Sequence, residues 1–485
     1  MRIRIFDTLS EDFRVLSDRK INMFVCGPTV YDYAHIGHAR TYIFFDFFAK
    51  YLRQIGFEIN YLQNITDIDD KIIARARRDK KTPIKLADSF FREYVRDMKS
   101  LGVSAVDTYA KATAFIPQIA KQVERLCNNG YAYKIENDGY YFDISKFSDY
   151  GKLSKRTAGQ ADDAISRIDE SVKKMHRGDF ALWKSANIEP KTKKSFITID
   201  GEPLWKTSLG WGRPGWHIED TAITEHYFGP QYDIHGGGID LKFPHHEAEI
   251  AQQEAASGKK PFVKTWMHTG FLTIDGKKMS KSLGNFITVK SFLENDDAAV
   301  LRIMIFQHHY RSPMDYTEKL LESARNTWSN IKIFMNKLDF FISRRKYNDG
   351  KINDTYLQNS KLIDGALSDD MNTPMALSLI FNAINHYDEM MSVTKYKDLL
   401  NARDFISKNL SLFGILPPKS KIPQKIQNLF KKREKLREEA LKNKKKNESR
   451  SRQQFIQSDA LRKKINELGY AIEDTSEFGA FISPK

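Results

Sequence analysis

The order of apolar and polar positions predicts that the chain begins with a parallel α/β sheet. Ile21–Cys26 is a short apolar run that ends in Gly-Pro, as a buried strand stopped by turn residues does. From Thr41 to Ile55 large apolar residues recur at helical spacing, and Gly56 stands where a helix would end. Phe57–Leu62 again has the pattern of a strand. In a sheet that starts with strand, loop, helix and strand, ligands bind beyond the carboxyl ends of the strands.

The pattern changes after the first half of this sheet. From about Tyr109 to Trp216 it favours helices, loops rich in glycine and lysine, and one β-like stretch at Tyr140–Asp143. We interpret this part as an insertion. The strand-like Tyr232–His235 and the helical run Glu247–Ala256 then resume the α/β pattern. The sheet is therefore predicted to be split in sequence.

Strand signals become rare beyond about Val300, and the rest of the chain is predicted to be mainly helical. The helical runs are Leu320–Phe341, Asp364–Ser392 and Ile422–Lys446. Near its end the chain carries clusters of basic residues, such as Lys442–Lys446. Such clusters are most often solvated helix faces, and contact with RNA is the alternative.

Charge and composition narrow the class of protein without deciding it. Lys and Arg outnumber Asp and Glu by 77 to 62 in 485 residues, a formal charge of +15. A polyanionic partner would explain this excess, and so would a basic surface that only maintains solubility. Two cysteines are too few for a disulfide framework, and no apolar run is long enough to span a bilayer. We expect a cytoplasmic protein that does not bind membranes.

Two histidines and a glycine form a motif between the first predicted strand and helix. His35-Ile36-Gly37-His38 stands directly before that helix. A phosphate chain at the helix start would meet backbone N–H groups, and the two imidazoles could donate hydrogen bonds to it. Gly37 would leave room for a nucleotide to lie against the backbone. An incidental pair of loop histidines explains the tetrapeptide equally well.

A second motif lies after the insertion, between Gly276 and Gly284. It reads Lys278-Met279-Ser280-Lys281-Ser282. Two lysines in a flexible loop can close over a triphosphate and neutralise the charge that develops during displacement. The alternative is a lysine-rich surface loop.

Both motifs occur together, in this order, on either side of the predicted insertion. The pair resembles the two signatures of class I aminoacyl-tRNA synthetases. Further segments along the whole chain are similar to the cysteinyl-tRNA synthetase family: Phe24–Asp32, Asn64–Lys71, Gly212–Glu219, Phe243–Glu247, Tyr310–Pro313, Asp369–Pro374 and Gly469–Thr475.

This resemblance implies an α/β fold: a Rossmann-type parallel-sheet catalytic domain split by a connective insertion, followed by a mainly α-helical C-terminal region. The implied boundaries are 1–115 and 225–300 for the two catalytic halves, 116–224 for the insertion, 301–345 for a stem-contact linker, and 346–485 for an anticodon-binding region. The implied reaction activates L-cysteine with ATP and transfers it to the 3′ end of tRNA(Cys). We expect a monomer.

The resemblance also implies roles for the two motifs. The catalytic residues would be His35, His38, Lys278 and Lys281. ATP would be bound by these four residues together with Thr29 and Gly37, and Mg²⁺ would accompany it. Cysteine would be bound by Gly27, Thr66, Trp216 and His235.

Selecting cysteine poses a chemical problem that a metal ion solves. Cysteine differs from serine by one atom, so a merely hydrophobic pocket would discriminate poorly, whereas zinc prefers a soft thiolate to a hydroxyl. Cys26 ends a predicted strand, and His245 and Glu249 stand four residues apart on one helix face. Cys26 is also explained as a small buried hydrophobe, and the His245–Glu249 pair as an ordinary helix-start contact. The resemblance implies instead that all three bind one zinc ion per chain.

One position departs from the family pattern. Where Gly-Trp-His-Ile-Glu is usually followed by a cysteine that serves as a further zinc ligand, this chain has Asp220. Aspartate can bind zinc through oxygen, so we expect Asp220 to complete the site. The alternative is that Asp220 only forms hydrogen bonds and that the metal is held more weakly.

Two other functions fit parts of the sequence. A ligase that joins cysteine to a sugar amine would use the same activation site, but it would not need the basic helical region beyond Val300. An RNA-binding protein that has lost catalysis would not need His35, His38 and both motif lysines intact.

Overall fold

The computed structural model describes residues 2–156, 173–188, 190–280, 284–345, 355–419, 422–444, 446–475 and 478–484. The chain forms two compact units. The first comprises Met1–Ala298, His308–Tyr316 and Ser368–Met371; the second comprises Ala299–Gln307, Thr317–Leu367 and Asn372–Lys485. No helix within the described ranges combines the length and the apolar character needed to cross a membrane.

The strands are numbered in chain order over the described residues. They are β1 (Ile3–Asp7), β2 (Asp12–Leu16), β3 (Lys20–Val25), β4 (Glu58–Ile65), β5 (Thr108–Lys111), β6 (Ala132–Ile135), β7 (Gly139–Phe142), β8 (Phe180–Ser185), β9 (Phe196–Ile199), β10 (Glu202–Thr207), β11 (Gly210–Pro214), β12 (Tyr232–Gly238), β13 (Val263–Thr269), β14 (Leu272–Ile274), β15 (Lys277–Lys278), β16 (Met314–Tyr316), β17 (Tyr470–Thr475) and β18 (Gly479–Pro484).

The helices are numbered in the same way. They are α1 (Ile36–Gln54), α2 (Asp70–Arg78), α3 (Pro83–Ser100), α4 (Ile116–Asn128), α5 (Ile218–Phe228), α6 (Glu247–Ser257), α7 (Val289–Leu293), α8 (Ala298–Phe306), α9 (Glu318–Arg344), α10 (Thr355–Ser368), α11 (Thr373–Met390), α12 (Tyr396–Phe413), α13 (Gln424–Asn443) and α14 (Glu448–Glu467).

The first unit is built on a five-stranded sheet in the order β13-β12-β3-β4-β5. Every neighbouring pair in it is parallel. Met23, Phe24 and Val25 at the end of β3 are all buried, as in strands covered on both faces. Because β3, β4 and β5 precede the insertion while β12 and β13 follow it, the predicted split sheet is confirmed.

Helix α1 begins earlier than its apolar pattern predicted. It starts at Ile36 rather than near Thr41, and His35 is its N-cap. The motif His35–His38 is therefore the cap and first turn of the helix, not a loop before it. The start was hidden because Gly37 and His38 do not extend the apolar stripe, although they do take helical positions.

The insertion differs from its predicted, mostly helical character. It contains a six-stranded antiparallel sheet in the order β6-β7-β8-β11-β10-β9. Its strands carry glycine where neighbouring backbones come close: a Cβ on Gly212 would lie 2.3 Å from the carbonyl oxygen of Lys184. Glycine, proline and lysine weaken the strand signal, which explains why only the stretch at Tyr140–Asp143 was predicted. The insertion is tied to α2 by the Lys184 Nζ–Asp70 Oδ2 ion pair, at 2.8 Å.

The second unit consists mainly of helices. Helix α9 buries Leu321, Trp328, Leu338 and other apolar residues at helical spacing and packs on α11 and α12. The run Asp364–Ser392, predicted as one helix, forms parts of α10 and α11, because Asp370 and Met371 between them have φ of 54° and 53°. Helices α13 and α14 pack against each other along their lengths, and β17 and β18 form a terminal hairpin.

Candidate active site

A cavity of about 360 Å³ opens in the first unit where the strands of the parallel sheet end. Cys26 follows β3, and Thr66 follows β4, so the sheet brings both residues to one edge. The cavity is lined by residues of both sequence motifs and of the predicted cysteine pocket: Cys26, Gly27, Thr29, His35, Gly37, His38, Asn64, Thr66, Lys71, Trp216, His245, Phe271, Lys278, Met279 and Phe286.

The predicted metal ligands Cys26, Asp220, His245 and Glu249 form one buried cluster. Cys26 Sγ lies 3.2 Å from Asp220 Oδ2 and 3.8 Å from Glu249 Oε1. His245 Nε2 lies 3.1 Å from Asp220 Oδ2 and 3.0 Å from Glu249 Oε1. One atom of each side chain therefore points toward a common centre.

Burial and crowding make this cluster electrostatically unusual. Burial, with the negative charges of Asp220 and Glu249 beside it, raises the pKa of Cys26 well above its usual value. Burial also raises the pKa of Glu249 to about 7. For His245, burial alone would lower the pKa, but Glu249 and Asp220 outweigh it and raise the pKa to about 10. Acidic groups thus outnumber the one basic group among these buried side chains.

The residues of the cluster fit a metal ion. Ligand atoms around a tetrahedral zinc lie roughly 3.3–3.7 Å apart. The four distances given above run from 3.0 Å to 3.8 Å, and all four ligand atoms lie within 4.8 Å of one another. Among the described residues, the buried Glu249 Oε2 has no hydrogen-bond partner, although His235 Nδ1 lies 3.6 Å from it. A sulfur, an imidazole nitrogen and carboxylate oxygens are donors that zinc accepts. A bound cation would also offset the excess of buried acids.

A second candidate set overlaps the first. It shares Cys26 and Glu249 and adds His235 and His246 in place of Asp220 and His245. His246 Nε2 lies 3.4 Å from Cys26 Sγ, and His235 Nε2 lies 3.8 Å from it. Among the described residues, His245 lines the cavity, whereas His235 and His246 do not. Both sets share the cavity-lining Cys26, and among the described residues the predicted set alone adds a second cavity-lining residue, His245.

Further side chains hold the cavity-facing imidazole. Its second nitrogen, His245 Nδ1, lies 2.8 Å from Nδ1 of the buried His217. Trp216 stacks on the His245 ring with centroids 4.4 Å apart. These contacts fix the ring plane, as partners of metal-binding histidines commonly do.

The four predicted cysteine-binding residues do not all reach the cavity. Gly27, Thr66 and Trp216 line it. His235 lies behind Cys26, stacked on Trp266, and its Nδ1 is 2.7 Å from the hydroxyl of Tyr232. His235 is thus placed to support Cys26 rather than to touch a molecule in the cavity.

The first motif forms a compact helix cap. His35 Nδ1 accepts hydrogen bonds from the backbone N–H groups of Gly37 and His38, at 3.1 Å and 3.3 Å. His38 Nδ1 accepts from the His35 N–H, at 3.5 Å, and the two rings stack with centroids 3.7 Å apart. The N–H groups of Gly37 and His38 are thus both directed at the His35 ring.

The cap also decides which ring nitrogens carry hydrogen. Burial lowers the pKa of His35 to about 4, and burial together with His35 lowers the pKa of His38 well below its usual value. Both rings are therefore neutral at pH 7. Since each Nδ1 accepts a backbone N–H, each Nε2 carries the hydrogen. The two rings offer N–H donors, without positive charge, to a ligand in the cavity.

Asn285 contacts both described ends of the second motif. Lys278 ends the two-residue strand β15 and, with Met279, lines the cavity. Asn285 Oδ1 accepts from the Ser280 N–H at 2.8 Å, and Asn285 Nδ2 donates to the Lys278 carbonyl at 3.3 Å. The predicted catalytic Lys281 lies outside the described residues.

The segment after this motif pairs with the backbone around His35. The Ile36 N–H donates to the Ile287 carbonyl at 3.1 Å, and the Val289 N–H donates to the Ala34 carbonyl at 2.8 Å. Phe286 meets the His35 ring edge-on, with centroids 5.2 Å apart. The two motifs, far apart in sequence, thus form adjacent walls of one cavity.

Comparison with known proteins decides the family. Residues 12–326 match the family model described as the class I (C) tRNA synthetase catalytic domain. The cysteine–tRNA ligase of Thermococcus onnurineus is 40% identical over 493 residues, which cover 98% of each chain. The chain belongs to the cysteine–tRNA ligase family. The ligases of Methanococcus maripaludis and Coxiella burnetii are 39% and 38% identical, again with 98% of each chain covered.

Solved structures of other class I synthetases share the fold of this cysteine–tRNA ligase family member. Mycobacterium tuberculosis methionyl-tRNA synthetase aligns with a TM-score of 0.56 at 15% identity, covering 82% of this chain and 90% of its own. A leucyl-tRNA synthetase of Agrobacterium radiobacter aligns with a TM-score of 0.60 at 11% identity, covering 84% and 86%. Family membership makes the chain an enzyme, an aminoacyl-tRNA ligase.

Sequence analysis missed two residues that this family member places at the metal cluster. Asn64 lies near the end of β4 and contacts Asp220; a polar residue at the carboxyl end of a parallel strand was the available signal. His246 contacts Cys26. Nothing in its spacing signalled this, because His245 and His246 both reach the cluster from an irregular turn in which Phe243 has φ of –142° and ψ of 134°.

Proposed function

We propose that the chain activates L-cysteine with ATP and transfers it to the 3′ end of tRNA(Cys), and that a zinc ion held by Cys26, Asp220, His245 and Glu249 selects the thiol. One observation carries this proposal. A single cavity is lined at one place by Cys26 and His245 and at another by His35, His38 and Lys278. A small amino acid and a triphosphate could therefore meet inside it.

The thiol of cysteine would lie beside the Cys26 cluster. When bound there, zinc supplies a Lewis-acidic centre that favours a thiolate over a hydroxyl. Trp216 and Thr66 line the same part of the cavity and restrict the volume left for the rest of the amino acid. Thr66 donates its hydroxyl hydrogen to the Glu219 carboxylate and accepts from Asn64 Nδ2 at 3.5 Å, which leaves one lone pair of its oxygen to accept from the substrate ammonium.

Activation takes place at the other walls of the cavity. The cysteine carboxylate attacks the α-phosphorus of ATP in line; a new P–O bond forms, and the bond to pyrophosphate breaks. His35 and His38 donate their Nε2–H groups to phosphate oxygens, while Lys278 and Lys281 neutralise the departing pyrophosphate. Thr29 and Gly37 contact the nucleotide, which brings Mg²⁺ with it as part of the substrate. No side chain forms a covalent bond.

Transfer follows in the same place. A hydroxyl of the terminal ribose of tRNA attacks the activated carbonyl carbon, and AMP leaves. Before this step the tRNA must be held, and the basic helix α13 supports a role for residues 346–485 in anticodon binding. Residues 301–345 would contact the stem. We propose that the enzyme works as a monomer in the cytoplasm and that the division at residues 115, 224, 300 and 345 reflects these tasks.

The proposed activity is tested in two steps. Cysteine-dependent exchange of pyrophosphate into ATP reports activation, and charging of tRNA(Cys) reports transfer. We expect both reactions, with exchange on cysteine far exceeding exchange on serine. Exchange without charging would point to a ligase with another acceptor, and the absence of both would contradict the proposal.

The tRNA contact needs a test that keeps the whole chain. Asp370 accepts hydrogen bonds from the Phe6 N–H and the Tyr310 hydroxyl within the first unit, so a truncation before it would damage that unit. Exposed Lys431 and Lys432 on α13 are better targets. Replacing both with Gln should weaken charging and reduce the salt slope of tRNA affinity by about 1 to 2, while exchange stays unchanged. The matched control replaces the exposed pair Lys80 and Lys81.

A further inference from the structure

Asn64 contacts the Asp220 carboxylate, the backbone next to Cys26 and, at 3.5 Å, the Thr66 hydroxyl. It lies in β4, the strand beside β3, which leads into Cys26. Its Nδ2 group donates to Asp220 Oδ1 at 2.5 Å, and its Oδ1 accepts from the Gly27 N–H at 2.5 Å. Asn64 thereby connects the backbone next to Cys26 with the carboxylate of Asp220.

The partners of Asn64 fix the orientation of its amide. The Gly27 N–H can only donate, so the oxygen of Asn64 must face it, and the NH₂ group must face Asp220. A charged acceptor strengthens this second hydrogen bond. Asn64 is itself buried, with 2% of its surface exposed, so solvent does not compete for the bond.

This contact divides the Asp220 carboxylate between two roles. Oδ1 is occupied by Asn64, while Oδ2 lies 3.2 Å from Cys26 Sγ and 3.1 Å from His245 Nε2. Only one oxygen therefore points into the cluster. Without the amide the carboxylate could rotate about its Cβ–Cγ bond and offer either oxygen, or both, in a less defined direction.

The end of β4 is built to receive this part of α5. Two residues on from Asn64, Thr66 donates to the carboxylate of Glu219, the residue directly before Asp220. The backbone that follows Cys26 also passes close to the end of β4. A Cβ on Gly27 would lie 1.7 Å from the Asn64 carbonyl oxygen, so only glycine fits there. Asn64 therefore stands in a fixed place relative to both Cys26 and Asp220.

We propose that Asn64 is a positioning residue that holds Asp220 so that Oδ2 alone is presented to the metal. This inference rests on the proposed zinc site. A cysteine at position 220 would offer a single sulfur and would need no such support. The contribution of Asn64 to metal affinity should therefore depend on which residue occupies position 220.

Four proteins test this dependence: the natural chain, Asn64→Ala, Asp220→Cys, and the double variant. Each is stripped of metal, and zinc alone is then titrated in competition with a chromophoric chelator. Asn64→Ala should weaken zinc binding about 10- to 100-fold in the natural background, as loss of an outer partner of a metal ligand does. In the Asp220→Cys background it should weaken zinc binding less than about threefold. Asn60→Ala, which removes an exposed asparagine on the same strand, should leave zinc binding unchanged in both backgrounds.

Other results would overturn the inference. An equal loss in both backgrounds would mean that Asn64 acts through Gly27 or through packing, and no loss in either would mean that Asp220 needs no support. If the natural chain takes up no zinc, the proposed metal site fails and the inference with it. Melting temperatures of the stripped proteins detect a folding defect. Should Asn64→Ala not fold, Asn64→Ser is measured instead, because its shorter side chain cannot span both partners, and the same split is expected.

Discussion

The two chemical regions of the cavity are constructed in opposite ways. The cluster around Cys26 lies at the ends of parallel strands; its four candidate ligands are buried, and each contacts another. The second motif extends from a two-residue strand, Lys278 is exposed, and Asn285 bridges the loop ends. Among the described residues, the first region is held by the fold itself, whereas the described ends of the second motif are held by hydrogen bonds with Asn285.

This difference matches what each region would have to do. A thiol and a hydroxyl differ little, so a site that separates them must keep its groups at fixed distances. A triphosphate changes charge and shape during displacement, and an exposed lysine such as Lys278 can follow it. Bringing acidic groups together in the interior is unfavourable, and here folding does so before any substrate binds.

The largest expected effect is at the loop. Lys278→Ala should lower the rate of cysteine-dependent pyrophosphate exchange about hundred- to thousandfold, because it removes a positive charge that stabilises the negative charge developing on pyrophosphate. The KM for cysteine should change little. Lys277→Ala is the matched control, since the neighbouring lysine points to the other face of the strand and is not among the described lining residues. Equal losses in both variants would argue against a role for Lys278 in the reaction.

In the cluster around Cys26, Asp220→Ala should weaken zinc binding rather than lower the turnover of the zinc-loaded enzyme. We expect zinc affinity to fall about a hundredfold, and the preference for cysteine over serine in exchange to fall with it. Asp220→Cys should retain both, because a thiolate is also a zinc ligand. Elemental analysis of dialysed protein, paired with exchange on the two amino acids, measures the outcome. Metal-free Asp220→Ala that still selects cysteine would show that the thiol is recognised in another way.

The two overlapping ligand sets make a further test possible. If the metal faces the cavity, His245→Ala should weaken zinc binding at least about tenfold more than His246→Ala, although both histidines are buried and adjacent. Chelator competition on the two variants gives the ratio directly. A larger loss in His246→Ala would move the metal to the set with His235, away from the cavity.

The smallest effect concerns pH and the helix cap. Burial lowers the pKa of His35 to about 4 from the usual 6.5, so the unfolded chain binds the proton more readily. Stability is therefore complete above pH 6.5 and falls as the pH drops toward 4. Between pH 7.5 and 5.5 the natural chain should lose about 1 kcal/mol more free energy of unfolding than His35→Asn, whose side chain caps the helix without titrating. Urea denaturation at both pH values measures this; equal losses would mean that His35 is protonated in the fold.

Much of the fold could be predicted because its sequence patterns are local. The apolar run before Cys26 and the helical spacing after Thr41 are produced by burial of a parallel sheet under helices, which leaves few polar positions. The strands of the insertion were not predicted because they contain glycine and lysine. The break at Asp370 was missed because a backbone φ of 54° does not alter the pattern of apolar and polar residues. Such features depend on contacts between segments distant in sequence.

The residues of the candidate site likewise differ in whether a local sequence signal marks them. Cys26, His245 and Lys278 could be selected because they stand at strand ends, at helical spacing or in a distinctive loop. Asn64, His217 and His246 act on those residues from elsewhere in the fold, through contacts such as the 2.8 Å approach of His217 to His245. The placement of His235 behind Cys26 likewise follows from its stacking on Trp266 and not from its own position in the sequence.

The neutral imidazoles of the helix cap have a consequence for inhibitor design. With both Nδ1 atoms accepting backbone N–H groups, the ring nitrogens of His35 and His38 present N–H donors to the cavity. A compound that places a carbonyl or sulfonyl oxygen against His35 and His38 would match them without needing a charge. An amine in that position would face the same N–H groups, so libraries rich in cationic groups should be screened against these rings last.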